Sequence, residues 1–177
     1  SRPLNLCELP NGHIYWGEYF ANIGKEAVHV YVSIDGGLTW KIAYTFSEGN
    51  INHIHGLFWD EFTNRLWFCT GDRENECIIG YTEDEFKTIV EVFRGNQEYR
   101  SCQLFFYEHF VVFATDSQYV QNEIKMFARD SMQINSLVKI QGTAIKGGQL
   151  GNISFLSTTV EPSEMNKDRY SHLWITD

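Results

Sequence analysis

Three acidic residues stand where apolar, strand-like segments give way to polar loops, and each could donate or accept a proton. They are Asp72 after "WFCTG", Asp116 after "VVFAT" and Glu161 in "TTVEPS". Carboxyl groups act as general acids, bases and nucleophiles, and cleavage of a glycosidic bond commonly uses two of them. We therefore treat these three as catalytic candidates. The alternative for the two aspartates is that they cap loop backbone, and for Glu161 that it shapes its loop.

A histidine pair lies in "NINHIHG", at the start of another apolar segment. His53 and His55 are two residues apart, so on a strand their side chains face the same side. The pair could bind a divalent metal together with Asp72 or Gln97, or the two rings could hydrogen-bond to their neighbours. No cysteine spacing matches a zinc motif. We therefore predict that both histidines bind substrate, with no metal and no cofactor.

Polar residues in two further loops complete the predicted binding set. Gln97 and Arg100 lie in "RGNQEYRS", and Asn122 lies in "TDSQYVQNE". Gln97 would orient a ligand by hydrogen bonding. Arg100 would either hold a substrate carboxylate by a two-pronged contact or brace a nearby acidic residue. The aromatic side chains that could stack on sugar rings are Tyr19, Tyr99 and Tyr119.

A repeated turn sequence shows how these loops are positioned. "SIDGGLTW" runs from Ser33 to Trp40, and "TEDEFKTI" begins at Thr82, 49 residues later. A fainter copy, "ARDSMQIN", begins at Ala128, and "HLWITD" places Thr176 at the same point of a fourth repeat. In each copy, alternating or continuous apolar runs predict two hairpins, which is four short antiparallel strands. A repeat of 40–50 residues with four strands is typical of a β-propeller blade.

The sequence therefore predicts an all-β fold, a β-propeller of four-stranded antiparallel blades. About three and a half blades are present, because the fourth repeat ends in its third strand. We place them at residues 1–48, 49–95, 96–142 and 143–177, the last incomplete, within a single partial propeller domain. Open strand edges in such a partial propeller would favour a homodimer.

The first turn motif, Ser-x-Asp-x-Gly-x-Thr-Trp, resembles the Asp-box, the signature of the sialidase-like (BNR) β-propellers. The matching residues are Ser33, Asp35, Gly37, Thr39 and Trp40, and in the second copy Thr82, Asp84 and Thr88. We expect these residues to be structural. The glycine would supply positive φ, the Asp and hydroxyl side chains would bond turn backbone, and Trp40 would bury between neighbouring sheets.

The resemblance also limits the activity that we expect. Sialidases use three arginines on the substrate carboxylate and an early Arg-Ile-Pro motif, which "SRPLN" does not match, so sialidase activity is not carried over. The pattern "HIHG…TGD…QEYRS…TDS…VEPS" looks more like uncharacterised Asp-box proteins linked to polysaccharide metabolism. In propeller blades the turn motifs lie on one face, and the loops with the candidate residues lie on the other.

Composition narrows the class of partner. Aromatic residues make up 15% of the chain, which favours β-structure, and the formal net charge is −9. A surface of this charge repels phosphate, so we expect neither a nucleic acid nor a membrane as partner. Cys7, Cys69 and Cys102 lie in strand-like runs and are expected to be buried and unpaired.

We predict a glycan-active or glycan-binding propeller. If the chain is an enzyme, its residues favour glycoside-hydrolase-like chemistry rather than that of a typical sialidase. One alternative is a non-catalytic interaction module, which the degenerate later turn motifs favour. A second is a metal-dependent polysaccharide lyase, suggested by the His-x-His pair and Gln97.

Overall fold

The computed structural model describes residues 1–176 and is all-β apart from two short 3-10 helices, Glu74–Glu76 and Gln97–Tyr99. The chain forms two compact units, an N-terminal unit from Ser1 to Tyr99 and a C-terminal unit from Arg100 onward. No helix in residues 1–176 has the length and apolar character needed to cross a membrane.

The N-terminal unit contains two four-stranded antiparallel sheets, in each of which neighbouring strands are consecutive along the chain. The first sheet consists of β1 (Cys7–Glu8), β2 (Ile14–Gly17), β3 (Val28–Ser33) and β4 (Lys41–Phe46). The second consists of β5 (His53–Asp60), β6 (Arg65–Gly71), β7 (Ile78–Thr82) and β8 (Val90–Arg94).

The C-terminal unit contains a four-stranded and a three-stranded antiparallel sheet with the same consecutive order. The third sheet consists of β9 (Ser101–Phe106), β10 (Phe110–Thr115), β11 (Asn122–Ala128) and β12 (Ile134–Ile140). The fourth consists of β13 (Thr143–Leu150), β14 (Ile153–Thr159) and β15 (Leu173–Thr176). The prediction of three complete four-stranded blades and a fourth with three strands is confirmed.

Strand patterning explains how the sheets pack. Along β3, Val28 and Val30 are fully buried while His29 and Tyr31 are only partly buried, so one face of this strand packs inward. Strands β5 and β6 are buried along almost their whole length, whereas β8 of the same sheet is largely exposed. The cluster between these sheets includes Phe46, Ile54 and Phe68.

Side chains also join the two sheets of the C-terminal unit. An apolar cluster contains Phe105 and Val112 of the third sheet and Leu156 of the fourth. The Gln149 side chain binds both backbone groups of Phe106, accepting from its N–H at 2.9 Å and donating to its carbonyl oxygen at 2.8 Å. This amide therefore pairs with a strand edge as backbone would.

The β3–β4 turn is held by its own side chains. The Ser33 hydroxyl donates to Asp35 Oδ1 at 2.7 Å and accepts from the Gly37 N–H at 2.8 Å. The Asp35 carboxylate accepts from both the hydroxyl and the N–H of Thr39, the latter at 2.9 Å. The Thr39 hydroxyl, then the Thr39 amide and the Ser33 hydroxyl, lower the pKa of Asp35 to about 2. Gly37 has a φ of 90°, a conformation that glycine adopts readily.

The β7–β8 turn repeats this network with different central residues. The Thr82 hydroxyl donates to Asp84 Oδ1 at 2.9 Å and accepts from the Phe86 N–H at 2.9 Å. Asp84 accepts from the hydroxyl and the N–H of Thr88, at 2.8 and 2.9 Å. Glu85 and Phe86 take the place of the two glycines and have φ values of 58° and 69°. Other contacts must therefore offset the backbone strain at these two positions.

Those contacts run from the β7–β8 turn to the first sheet. Phe86 is buried and packs near the Tyr15 and Tyr44 rings. The Glu85 carboxylate accepts from the Tyr15 hydroxyl at 2.6 Å and lies 2.6 Å from His13 Nδ1. The second turn thus also connects two sheets.

The third copy keeps only the register. Ala128 has no hydroxyl, so the Met132 N–H donates to the Ala128 backbone oxygen at 2.9 Å instead. Asp130 accepts from the adjacent Ser131 N–H rather than from a residue four positions on. Met132 has a φ of 53°, so the turn keeps its left-handed residue.

Trp40 differs from its expected position. It is 36% exposed and meets the Trp16 ring of its own sheet edge-on, with ring centroids 6.1 Å apart. The apolar layer between the first two sheets is filled instead by residues such as Phe46 and Phe86. The prediction that Cys7, Cys69 and Cys102 are buried is confirmed, and Cys77 is also buried. None of the four forms a disulfide within residues 1–176.

Candidate functional site

The structure brings His53, His55 and Asp72 together in the N-terminal unit. His53 begins β5 and pairs with Gly71, the last residue of β6, so Asp72 follows directly at the same sheet end. The β5–β6 pairing is irregular between Ile54 and Gly56, next to His55. The missing side chain of Gly71 makes room for the ring, because a Cβ there would lie 2.4 Å from His55 Cε1.

Three polar atoms of these residues form a nearly equilateral triangle. The His53 and His55 Nε2 atoms are 3.1 Å apart, and each lies 3.2 Å from Asp72 Oδ1. The side chains of His53 and His55 are 6% and 1% exposed, whereas that of Asp72 is 31% exposed. Of the three side chains, that of Asp72 is therefore the most accessible to solvent.

Backbone and side-chain contacts fix the orientation of this triangle. His53 Nδ1 lies 2.9 Å from the Phe20 carbonyl oxygen, which can only accept a hydrogen bond. A ring with its proton on Nδ1 can donate to this oxygen, and its Nε2 atom faces Asp72 and His55. The Asn52 amide donates to Asp72 Oδ2 at 2.9 Å, which turns Oδ1 toward the imidazoles.

A second set of contacts holds the Asp72 loop. Glu76 Oε2 accepts from the Asp72 N–H at 3.2 Å, and Gln97 Nε2 donates to the Asp72 carbonyl oxygen at 2.8 Å. Lys25 Nζ binds both the Glu76 carboxylate and Asn52 Oδ1. Although burial raises the pKa of Glu76, these hydrogen bonds and the Lys25 charge lower it more, and the net pKa lies below its usual value. Gln97 is thus placed to position Asp72.

One aromatic ring borders the cluster. The Tyr19 ring centroid lies 4.1 Å from that of His53 and 6.2 Å from that of His55. Tyr99 stacks on Phe93 in the same unit, with ring centroids 5.3 Å apart. The Tyr19 ring therefore accompanies the polar cluster.

Arg100 and Asp116 are buried side by side in the C-terminal unit. Arg100 Nε lies 3.7 Å from Asp116 Oδ2, and the Cys102 thiol donates to the same oxygen at 3.4 Å. The Asp116 N–H also donates to the Arg100 carbonyl oxygen at 2.9 Å. This geometry favours the alternative in which Arg100 braces an acidic residue.

Asn122 holds the loop that connects β10 and β11. Its Oδ1 accepts from the Thr115 hydroxyl and the Ser117 N–H, both at 2.8 Å. Its Nδ2 donates to the Ser117 carbonyl oxygen and to Asn166 Oδ1, both at 2.7 Å. These four bonds use the full hydrogen-bonding capacity of the amide. The Asn122 side chain therefore stabilises the loop between β10 and β11, rather than presenting free groups to a ligand.

Glu161 lies just after β14. Its Oε2 accepts from the Thr143 hydroxyl at 2.9 Å, and that hydroxyl is 2.6 Å from the Thr159 hydroxyl. The contact ties the loop after β14 to the start of β13, as expected for a loop-structuring role.

Sequence reasoning missed several residues that support the site. The Phe20 carbonyl oxygen has no sequence signal, because every residue carries that group. Lys25 and Glu76 are 51 positions apart, and only the fold makes them partners. Asn52 had a usable signal, since it precedes the histidine pair in "NINHIHG".

No protein-family model matches the chain, and no curated protein matches it. Several solved structures, however, are similar to this chain. The chain is similar to a protein proposed to be an exo-β-1,3-galactanase from Bifidobacterium bifidum, with a TM-score of 0.65 and 12% identity over 97% of this chain and 70% of that one. It is similar to the β-propeller domain of the trilobed protease from Pyrococcus furiosus, with a TM-score of 0.57 and 15% identity over 98% of this chain and 54% of that one.

A third similar structure is an α-L-arabinofuranosidase from Fusarium graminearum, with a TM-score of 0.55, 12% identity and 96% coverage of this chain. The chain spans only 59% of the arabinofuranosidase and 54% of the protease propeller domain. At these identities the likeness concerns the fold alone. The chain has the fold of part of a β-propeller.

Proposed function

We propose that this chain is a glycan-binding propeller of the Asp-box type, and that its ligand contacts the His53–His55–Asp72 cluster. The observation that carries the proposal is the meeting of two imidazoles, a partly exposed carboxylate and the Tyr19 ring at one end of the second sheet. Binding sites of this kind combine apolar ring surface with a few convergent polar groups.

The chemistry of this cluster suits a sugar. Sugar hydroxyls both donate and accept, so they can bond to a carboxylate oxygen and to an imidazole nitrogen. The apolar faces of sugar rings pack on aromatic rings such as that of Tyr19. Since Asn52 and Phe20 hold the polar groups in place, little ordering would be needed when a ligand binds.

The Asp-box assignment rests on the two matching turn networks. Ser33, Asp35 and Thr39 are joined by the same pattern of hydrogen bonds as Thr82, Asp84 and Thr88. The choice of glycans as ligand class for testing is also motivated by two similar structures, which are named as a galactanase and an arabinofuranosidase.

We also ask whether the chain hydrolyses the glycan that it binds, which is tested in the samples of the binding screen described below. Glycosidic cleavage would need a second carboxyl group beside Asp72. The carboxylates of the other two candidates already have partners in the C-terminal unit, Asp116 with the Cys102 thiol and Glu161 with the Thr143 hydroxyl. This observation favours a non-catalytic interaction module as the second candidate function.

The test is a binding screen of the purified chain against a panel of plant, fungal and bacterial oligosaccharides. We expect at least one glycan to bind wild type, and Asp72→Asn and Tyr19→Ala each to weaken that binding about tenfold, the loss of one good polar or stacking contact. His109→Ala changes an exposed histidine of the C-terminal unit and serves as control. The proposal fails if no glycan binds, or if both site variants bind as wild type does. Shortened oligosaccharides detected by thin-layer chromatography after incubation would show that the chain also hydrolyses the glycan.

A further inference from the structure

We propose that His53 Nε2, His55 Nε2 and Asp72 Oδ1 bind one divalent first-row transition-metal ion. The three atoms lie 3.1, 3.2 and 3.2 Å from one another. Zinc binds imidazole nitrogen and carboxylate oxygen at about 2.1 Å, so ligands on one ion are roughly 3.0 Å apart at octahedral angles and roughly 3.4 Å apart at tetrahedral angles. The observed separations fall between these values, so they match those of three ligands on one ion.

The ring orientation also suits a cation at this point. His53 Nδ1 lies 2.9 Å from the Phe20 carbonyl oxygen, so the other ring nitrogen, Nε2, faces the Asp72 carboxylate. Histidine binds metal ions through one ring nitrogen while the other makes a hydrogen bond of this kind. A dication between the three atoms would attract the carboxylate oxygen and both imidazole nitrogens at once.

The surroundings resemble the outer contacts of a metal centre. Metal-bound histidines usually donate their second ring N–H to a carbonyl or carboxylate oxygen, as His53 does to Phe20. The ligating carboxylate is usually hydrogen-bonded as well, and Asn52 provides that bond to Asp72 Oδ2. The two buried rings and the partly exposed Asp72 give an ion access from one side.

The ligand types select the metal class. Two imidazoles and one carboxylate favour Zn²⁺, Mn²⁺, Fe²⁺, Co²⁺ or Ni²⁺, whereas Mg²⁺ and Ca²⁺ prefer sites made only of oxygen atoms. Three protein ligands would leave further coordination positions for water or for an oxygen atom of a bound molecule. The ion would occupy the same three atoms that the glycan proposal uses, and this inference departs from the sequence-based prediction of no metal. Metal binding is measured without sugar, so the two proposals can fail separately.

The experiment is a calorimetric titration of chelator-treated, desalted protein with Zn²⁺, with Co²⁺ absorption as a second readout. We expect one equivalent to bind per chain, with visible Co²⁺ bands that disappear when Zn²⁺ is added. Asp72→Asn and His55→Gln should weaken binding at least about 100-fold, and Asn52→Ala, which removes an outer contact, about 10- to 100-fold. His109→Ala should bind as wild type does.

Asp72→Asn and Asn52→Ala change partly exposed side chains, so we expect both variants to fold. They decide the question if His55→Gln is unstable. The proposal is overturned if wild type binds neither ion stoichiometrically. It is equally overturned if Asp72→Asn and Asn52→Ala keep wild-type affinity, because the ion would then lie elsewhere on the surface.

Discussion

At the scale of single residues, the absence of a side chain at Gly71 is as important as the presence of His55. A methyl group at this position would lie 2.4 Å from Cε1 and 2.6 Å from Nε2 of that ring. Since the ring is almost fully buried, it cannot move away without disturbing its packing.

Gly71→Ala is therefore expected to displace His55 and to weaken Zn²⁺ binding at least about tenfold, at a stability cost of about 1–3 kcal/mol from overpacking. Calorimetry and chemical denaturation measure the two effects. Gly24→Ala is the matched control, because the nearest atom to its new Cβ would be Glu26 Cγ at an ordinary 3.6 Å. Equal behaviour of the two variants would contradict the assigned packing.

A second prediction at this scale concerns Asp35. Its pKa is lowered from 3.8 to about 2, chiefly by the Thr39 hydroxyl. A carboxyl group with a depressed folded-state pKa stabilises the fold above its unfolded pKa, and the effect is lost as the pH falls from 3.8 toward about 2. Carboxyl-detected NMR titration should give this pKa, and Thr39→Val should raise it toward 3.8. An Asp35 that titrates normally in wild type would rule out the network.

At the scale of elements, the two turn motifs share one hydrogen-bond pattern but differ in how much they contribute to the buried core. The β3–β4 turn places glycines at its positive-φ positions, and its Leu38 is 86% exposed. The β7–β8 turn places Phe86 at the same kind of position and buries it. The second turn therefore contributes a buried side chain to the core. This role is not evident from its sequence, which matches the turn motif only in part.

Phe86→Ala should lower the free energy of unfolding by about 3–5 kcal/mol, because it removes a buried aromatic ring and leaves the strained backbone in place. Leu38→Ala in the first turn should change stability by less than about 0.5 kcal/mol. Urea denaturation of both variants checks this. Similar losses in the two turns would mean that Phe86 has no special packing role.

The elements also show what the sequence could predict. The β3–β4 turn was predictable, because all its partners lie between Ser33 and Thr39 and the bonds follow from residue types alone. The meeting of His53 and Asp72 depends on the β5–β6 pairing, which the hairpin pattern predicted only approximately. The Asn122–Asn166 contact spans 44 positions and depends on the packing of two loops, so no local pattern indicates it.

At the scale of the whole molecule, the propeller fold is confirmed, whereas the predicted homodimer stays a prediction. In residues 1–176, β15 pairs with β14 alone, and its Leu173 and Ile175 are 62% and 66% exposed. An exposed apolar edge strand is a template for pairing with another chain. Light scattering should therefore give a dimer mass, and Ile175→Lys should shift it toward monomer. A wild-type monomer at high concentration would contradict the prediction.

A ligand that contacts the His53–His55–Asp72 cluster must change the surroundings of both imidazoles. ¹⁵N NMR of the imidazole side chains, recorded while the best glycan from the screen is added, detects this change. We predict that the His53 and His55 signals move in proportion to saturation, and that those of His109 and His172 stay in place. If a glycan binds while the His53 and His55 signals remain unchanged, the ligand does not contact this cluster.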